Sequence, residues 1–196
     1  MGNFVNFLIN EIIMMFSSGG FHINPPLQGI HLAYLDRISQ IRHVKRDVSK
    51  LENLRDPLRE MVGLPLGLEG AYYVGERIPS KHNSSVIDIN KPPQGQPRRW
   101  CEWIPTEDGE FYFWAYERTY GYDSWLKYLI EHFFTPWNYK LSGRIECHYH
   151  CYRYVSLSGD GKNEVEIPCV EKHELVINGD NIIVKNILGT FRAEPE

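Results

Sequence analysis

The chain has 196 residues, of which 42% are hydrophobic and 23% charged, with a formal net charge of −4. This is enough apolar material for a core of ordinary domain size, and it excludes a disordered chain and a strongly basic nucleic-acid binder. The charge is also too small for an acidic nucleic-acid mimic. Aromatic residues are the outlying class, with 12 Tyr, 9 Phe and 5 Trp.

The opening "MGNFVNFLINEIIMMFSSGG" reads as an N-terminal extension over residues 1–20, ahead of one domain over 21–196. Its apolar run is broken by Asn10 and Glu11 and is too short to span a bilayer. Phe4, Phe7, Leu8, Glu11, Ile12 and Met15 have the spacing of a short helix with one apolar face. No Lys or Arg precedes the run, so a secretory leader is not expected. With Cys101, Cys147, Cys151 and Cys169 then read as reduced thiols, a cytoplasmic protein without a membrane partner is expected.

"GGFHINPPL" (19–27) predicts a strand ended by Pro25 and Pro26, which cannot continue a ladder. Leu32, Leu35, Ile38 and Ile41 then follow at helical spacing. Residues 47–98 read as a long insertion, polar and helix-compatible at first, then rich in Gly, Pro, Ser and Asn. "RWCEWIP" and "EFYFWAYE" alternate around Asp108-Gly109, a hairpin signal. In "YDSWLKYLIEHFF" the residues Trp125, Leu126, Leu129, Ile130, Phe133 and Phe134 form a wide apolar stripe, capped by Asp123 or Ser124 and stopped by Pro136. "YKLSGRIECHYHCYRYVSL" is a long strand, and "KHELVINGDNIIVKN" a closing hairpin turned at Asn178-Gly179-Asp180. The order strand, helix, hairpin, helix, strand, hairpin predicts an α+β fold. Its antiparallel sheet would carry two helices on one face, ferredoxin-like with extra edge strands.

Three constellations carry the chemistry. "IECHYHC" holds two Cys and two His within five positions, but on a strand the cysteines and histidines alternate to opposite faces. That removes a four-ligand Cys2His2 site and leaves Glu146, His148 and His150 on one face. Imidazoles projecting together suit Zn or another transition metal, with His173 or Glu174 as a further ligand. The alternative function is therefore a metal-dependent enzyme or sensor acting on a nucleotide or nucleic acid. The second constellation is aromatic: Trp100 and Trp103, then Tyr112, Trp114 and Tyr116 on one strand face. Such strips stack on bases in some sheet platforms, yet without a flanking Lys/Arg cluster they fit a protein interface or a homo-oligomer better. The third is basic, with Arg37, Arg42, His43, Lys45, Arg46 and Lys50, largely neutralised by Asp36, Asp47 and Glu52, and it reads as a solvated helix edge.

The segments "INPPL" (23–27), "IRHVKRD" (41–47), "VIDINKPPQGQPRRWCEWIPTEDG" (86–109), "YDSWLKYLIEHFFTPWNYKLSGRIE" (122–146) and "ELVINGDNIIV" together resemble a group of uncharacterised bacterial and phage-borne small α+β proteins. "CHYHCYRY" departs from that group's pattern, so His148 and His150 are not carried by the resemblance. No activity comes with it. It implies a mobile-element or bacterial origin. Together with the absence of G-x-S-x-G, P-loop, Rossmann or H-E-x-x-H patterns, it gives the leading expectation: a non-enzymatic inhibitor or immunity-type module of phage–host conflict. Such a module would bind a host protein without a cofactor, through Arg99, Trp100, Trp103, Tyr112, Trp114 and Tyr116.

Overall fold

The computed structural model describes residues 9–80, 82–101, 103–106, 111–113, 122–156, 164–179 and 181–187; for 9–20, 111–113, 122, 147–156, 164–171 and 186–187 the description is of the backbone alone. The fold is α+β. Strand β1 (Ile9–Asn24) leads into helix α1 (Gly29–Gln40), and the insertion follows with strand β2 (Lys45–Arg46), helix α2 (Pro57–Met61) and strand β3 (Val86–Asp88). The hairpin β4 (Trp103–Pro105) and β5 (Phe111–Phe113) precedes helix α3 (Tyr122–Leu129), which continues as a π-turn over Ile130–Phe134. Strands β6 (Lys140–Ser156), β7 (Glu164–Asn178) and β8 (Asn181–Ile187) close the chain.

Six strands form one antiparallel sheet in the order β4-β5-β1-β6-β7-β8, and β2 pairs with β3 separately. The helices bury their apolar stripes in a single cluster: Tyr34, Leu35 and Ile38 from α1, and Trp125, Leu126 and Leu129 from α3. From the sheet, Phe21, Trp103, Leu141, Ile145, Leu175 and Ile177 meet them. Alternation along each strand sends these residues to the helix side. Phe113 lies opposite Trp103 in the ladder and Phe111 opposite Phe21, while Tyr112 is paired with Ile104.

Residues 9–15 are strand, not the amphipathic helix their spacing predicts. Ile9, Ile12 and Ile13 are register partners of Arg153, Cys151 and His150 on β6. The apolar residues there fit either periodicity, and a ladder partner on the same sheet satisfies their backbone groups. A register shift between Ile9 and Ile12 and another between Met14 and Phe16 mark where the ladder is irregular. Residues 1–8 lie outside the described residues.

The expected start of the second helix also moves. α3 begins at Tyr122, so Asp123 sits inside its first turn, where a carboxylate favours the helix dipole, instead of capping it. Pro136 has no N–H to give, and the last turns widen. The Thr135 N–H reaches the Ile130 carbonyl at 2.9 Å and the Tyr139 N–H reaches Phe134 at 2.8 Å, both five residues back.

The insertion is not loosely draped. Its segment Ala71–Val74 runs buried beside the helices, where backbone groups need partners. Side chains distant in sequence supply them. Tyr34 Oη donates to the Tyr72 carbonyl (2.9 Å) and Arg37 Nε to the Val74 carbonyl (3.0 Å). Gln96 Nε2 donates to the Ala71 carbonyl (2.6 Å), and the Val74 N–H donates to Asp56 Oδ2 (2.9 Å). Burial raises the Asp56 pKa, while the Val74 N–H and nearby Arg59 favour its ionised form.

The expected basic helix edge is replaced by β2 and buried polar contacts. Arg46 is buried, donates to Ser85 Oγ (2.7 Å) and Glu76 Oε2 (2.9 Å), and lies 4.9 Å from the Tyr73 ring centroid. His43 is buried as well. A solvated face fits neither residue.

Candidate functional site

Three histidines tie the helices to their surroundings through hydrogen bonds of their rings. His31 Nδ1 lies 2.8 Å from Tyr139 Oη, which also accepts the Gln28 N–H at 3.0 Å. The ring stacks on Trp137 at 4.1 Å with 3° between planes. His43 Nε2 donates to the Ile38 carbonyl at 3.0 Å and its ring lies 5.0 Å from Trp125. Burial lowers its pKa to about 4, against the pull of that hydrogen bond, so it is neutral at pH 7.

His132 is the one beside open space. Its Nδ1 lies 2.7 Å from Tyr72 Oη, which makes no other hydrogen bond among the described residues. Burial lowers the His132 pKa, and Glu131 opposes the shift. The ring stacks on Tyr128 at 4.1 Å.

Ser124, Lys127, Tyr128, Glu131 and His132 are spaced i, i+3, i+4, i+7 and i+8, one face of α3 and its π-turn. The opposite face is the apolar stripe in the core. Gly95, Pro97 and Arg98 stand across from the polar face, and together these residues enclose an open groove of about 450 Å³. A π-turn is an uncommon element that recurs at functional sites. Gln96 is buried beneath this wall and donates from Nε2 to Tyr128 Oη at 3.3 Å, while its Oε1 has no hydrogen-bond partner among the described residues. Lys127 and Glu131 form a loose, exposed pair at 3.8 Å.

Two residues beyond Arg98 in the chain, Trp100 is 42% exposed. Its neighbours are held. The Arg99 carbonyl accepts the His43 N–H at 2.8 Å, Arg99 Nη1 donates to Asn90 Oδ1 at 3.4 Å, and Cys101 is buried.

The structure divides the expected aromatic anchors. Trp100 and Arg99 lie together at the surface, but Trp103 is 1% exposed, with its ring 5.4 Å from Phe21. It is a core residue and not a partner anchor: its place on β4 turns it toward the helices. Tyr112 is described by backbone only, and Trp114 and Tyr116 lie outside the described residues. Of the metal candidates, Glu146 lies 3.6 Å from Lys172, and ladder pairing sets it opposite Glu174, which itself pairs with Arg144 at 3.0 Å. His148 and His150 are register partners of Lys172 and Val170, with side chains beyond those described. Among the described residues, no three His, Cys, Asp or Glu side chains gather as a metal-binding group, and no helix is long and apolar enough to cross a membrane.

The groove was missed in the sequence because only one wall is periodic. The helical spacing of Ser124 through His132 was available, but its facing wall comes from residues 95–98. Comparison with known proteins finds no matching family model, no matching curated protein and no matching solved structure.

Proposed function

We propose that this chain is a non-enzymatic protein-binding module, of the inhibitor or immunity kind that the segment resemblance implies, with Trp100 as its principal anchor. The observation that carries the reading is the exposure of that indole on an otherwise tethered segment. A large apolar side chain on a mobile loop would lose much of its contact energy in being ordered. Here the backbone on one side is bonded to His43 and the residue on the other is buried, so little ordering remains. Trp and Arg are the residue types most often found as interface hot spots, and Arg98 and Arg99 precede Trp100 directly. A partner surface with an apolar pocket rimmed by carboxylates is complementary to this ledge.

The test is partner capture by purified full-length protein, with identification of the captured chain and measurement of its affinity. Trp100→Ala should weaken binding by about 30-fold or more, the size of a hot-spot truncation. Met61→Ala, at another exposed apolar position, should leave it unchanged. Equal affinity for Trp100→Ala and the parent protein, with the fold intact, would refute the assignment.

A further inference from the structure

The fold gathers arginines that the sequence scatters. The Arg42 N–H donates to the Arg77 carbonyl at 3.0 Å, and the His43 N–H donates to the Arg99 carbonyl at 2.8 Å. A hydrogen bond of that length holds its two α-carbons within about 6 Å of each other, so residues 77, 42 and 99 fall within a span of about 16 Å. Arg77 is exposed, and Arg42 and Arg99 are partly so. None of the three forms an ion pair among the described residues. Arg42 Nε has no hydrogen-bond partner there, and Arg99 Nη1 reaches a neutral amide oxygen, that of Asn90, at 3.4 Å. The carboxylate beside Arg77, that of Glu76, is already held by Arg46 and Asn83 at 2.9 Å each. Exposed apolar side chains flank the arginines: Ile78 follows Arg77 and Trp100 follows Arg99. Like charges held this close repel one another, and an anionic partner relieves that repulsion. A protein partner needs only a local run of carboxylates, whereas a nucleic acid brings phosphates all along its length against a chain of net charge −4.

We propose that this surface binds an acidic, extended segment of a partner protein, with carboxylates against Arg77, Arg42 and Arg99 and an apolar side chain against Trp100. An extended chain rises about 3.3 Å per residue, so about five residues cover the span of the three arginines. Guanidinium suits the task, because its donors form a fixed fork that matches a carboxylate. The inference rests on the reading of Trp100 as a protein-binding anchor. It adds the charge and the length of what is bound, and it brings in Arg42 and Arg77, which are remote from Trp100 in sequence.

The probe is a short fluorescein-labelled peptide of alternating Asp and Glu about a central leucine, titrated with the full chain at fixed ionic strength and followed by anisotropy. The controls are the same peptide with Asn and Gln in place of Asp and Glu, and a labelled oligothymidylate of equal charge. Saturable binding of the acidic peptide is expected, weakening as salt is raised. Arg77→Gln should weaken it about 3- to 5-fold, the scale of one exposed ion pair. Lys140→Gln, which changes the net charge equally from an exposed position on β6, should leave it unchanged. Arg77 and Lys140 are both at the surface, so both variants should fold. Equal binding of the Asn/Gln peptide, lost on Trp100→Ala, would overturn the acidic assignment and keep the indole anchor. Binding of the acidic peptide that Arg77→Gln weakens and Trp100→Ala does not would support the arginine site and remove the anchor. Tighter binding of oligothymidylate through the same arginines would overturn the proposal in favour of nucleic acid. The absence of saturable binding by the acidic peptide, or equal loss from Arg77→Gln and Lys140→Gln, would overturn it outright.

Discussion

Replacing His43 by Gln should flatten the acid side of the stability profile. The imidazole is 3% exposed and its pKa falls from an unperturbed 6.5 to about 4, with burial as the main cause. As pH drops below 6.5 the unfolded chain takes up a proton that the folded chain refuses. The unfolded state is then favoured, and folded stability declines with falling pH. The loss begins near pH 6.5, runs at about 1.4 kcal/mol per pH unit, and is complete near pH 4. Between pH 7 and pH 5 it amounts to about 2 kcal/mol, a large share of a typical domain's stability.

His31 and His132 shift in the same direction, and Asp56, whose pKa is raised, shifts in the opposite one. The total profile therefore mixes several groups. The difference between parent and variant isolates His43. Gln cannot titrate, yet its amide can donate to the Ile38 carbonyl in place of Nε2. Urea unfolding at pH 7 and pH 5 should give a stability loss smaller by about 2 kcal/mol in His43→Gln than in the parent. Equal losses in the two proteins would refute the claim that a buried neutral imidazole sets this slope.

Three other outcomes follow from the structure. Trp103→Ala should cost about 3–5 kcal/mol in urea unfolding, since a fully buried indole is removed next to Phe21; a cost under about 1 kcal/mol would contradict its place in the core. Gly70→Ala should lower the melting temperature. Its φ is +79°, and the new Cβ would stand 3.0 Å from Leu51 Cδ1 and 3.1 Å from Arg46 Cβ, in a backbone region that costs an alanine about 1 kcal/mol or more. An unchanged melting curve would show that the turn relaxes. Elemental analysis of untagged protein purified without chelator should find no stoichiometric transition metal, because Lys172 already lies against Glu146. About one equivalent of zinc or iron per chain would point to His148 and His150 as ligands.

Helix α3 was legible because burial imposes its period on the sequence. Trp125, Leu126, Leu129, Ile130, Phe133 and Phe134, picked out by spacing, are all buried. The two hairpins were legible through their alternation, and Asn178 does pair with Asn181, while the expected turn at Asp108-Gly109 lies outside the described residues. Residues 9–15 were not. Their apolar run fits two periods, and the choice was made by β6, about 140 residues away, which no local pattern reveals. Trp103 shows a related gap. Alternation predicts that one face of its strand is buried, but composition cannot say whether the tryptophan or its neighbours lie inward.

The insertion and the groove escaped the sequence for one physical reason. A periodic element announces its buried face, because the same geometry repeats every turn or every second residue. A segment held by hydrogen bonds from single side chains repeats nothing. Ala71–Val74 is fixed by Tyr34, Arg37, Asp56 and Gln96, which come from three separate stretches of chain. A Gly- and Pro-rich composition made 63–97 look like a loop, although Arg46, Asp56, Ser85 and Gln96 are buried within or against it. Gln96 joins the two problems. Through Ala71 it anchors the insertion, and through Tyr128 it reaches the helix whose polar face forms the groove. Removing its amide should therefore disturb both. A change at the insertion's core that also moves the His132 resonance would show that the groove is shaped by that buried polar contact and not by α3 alone.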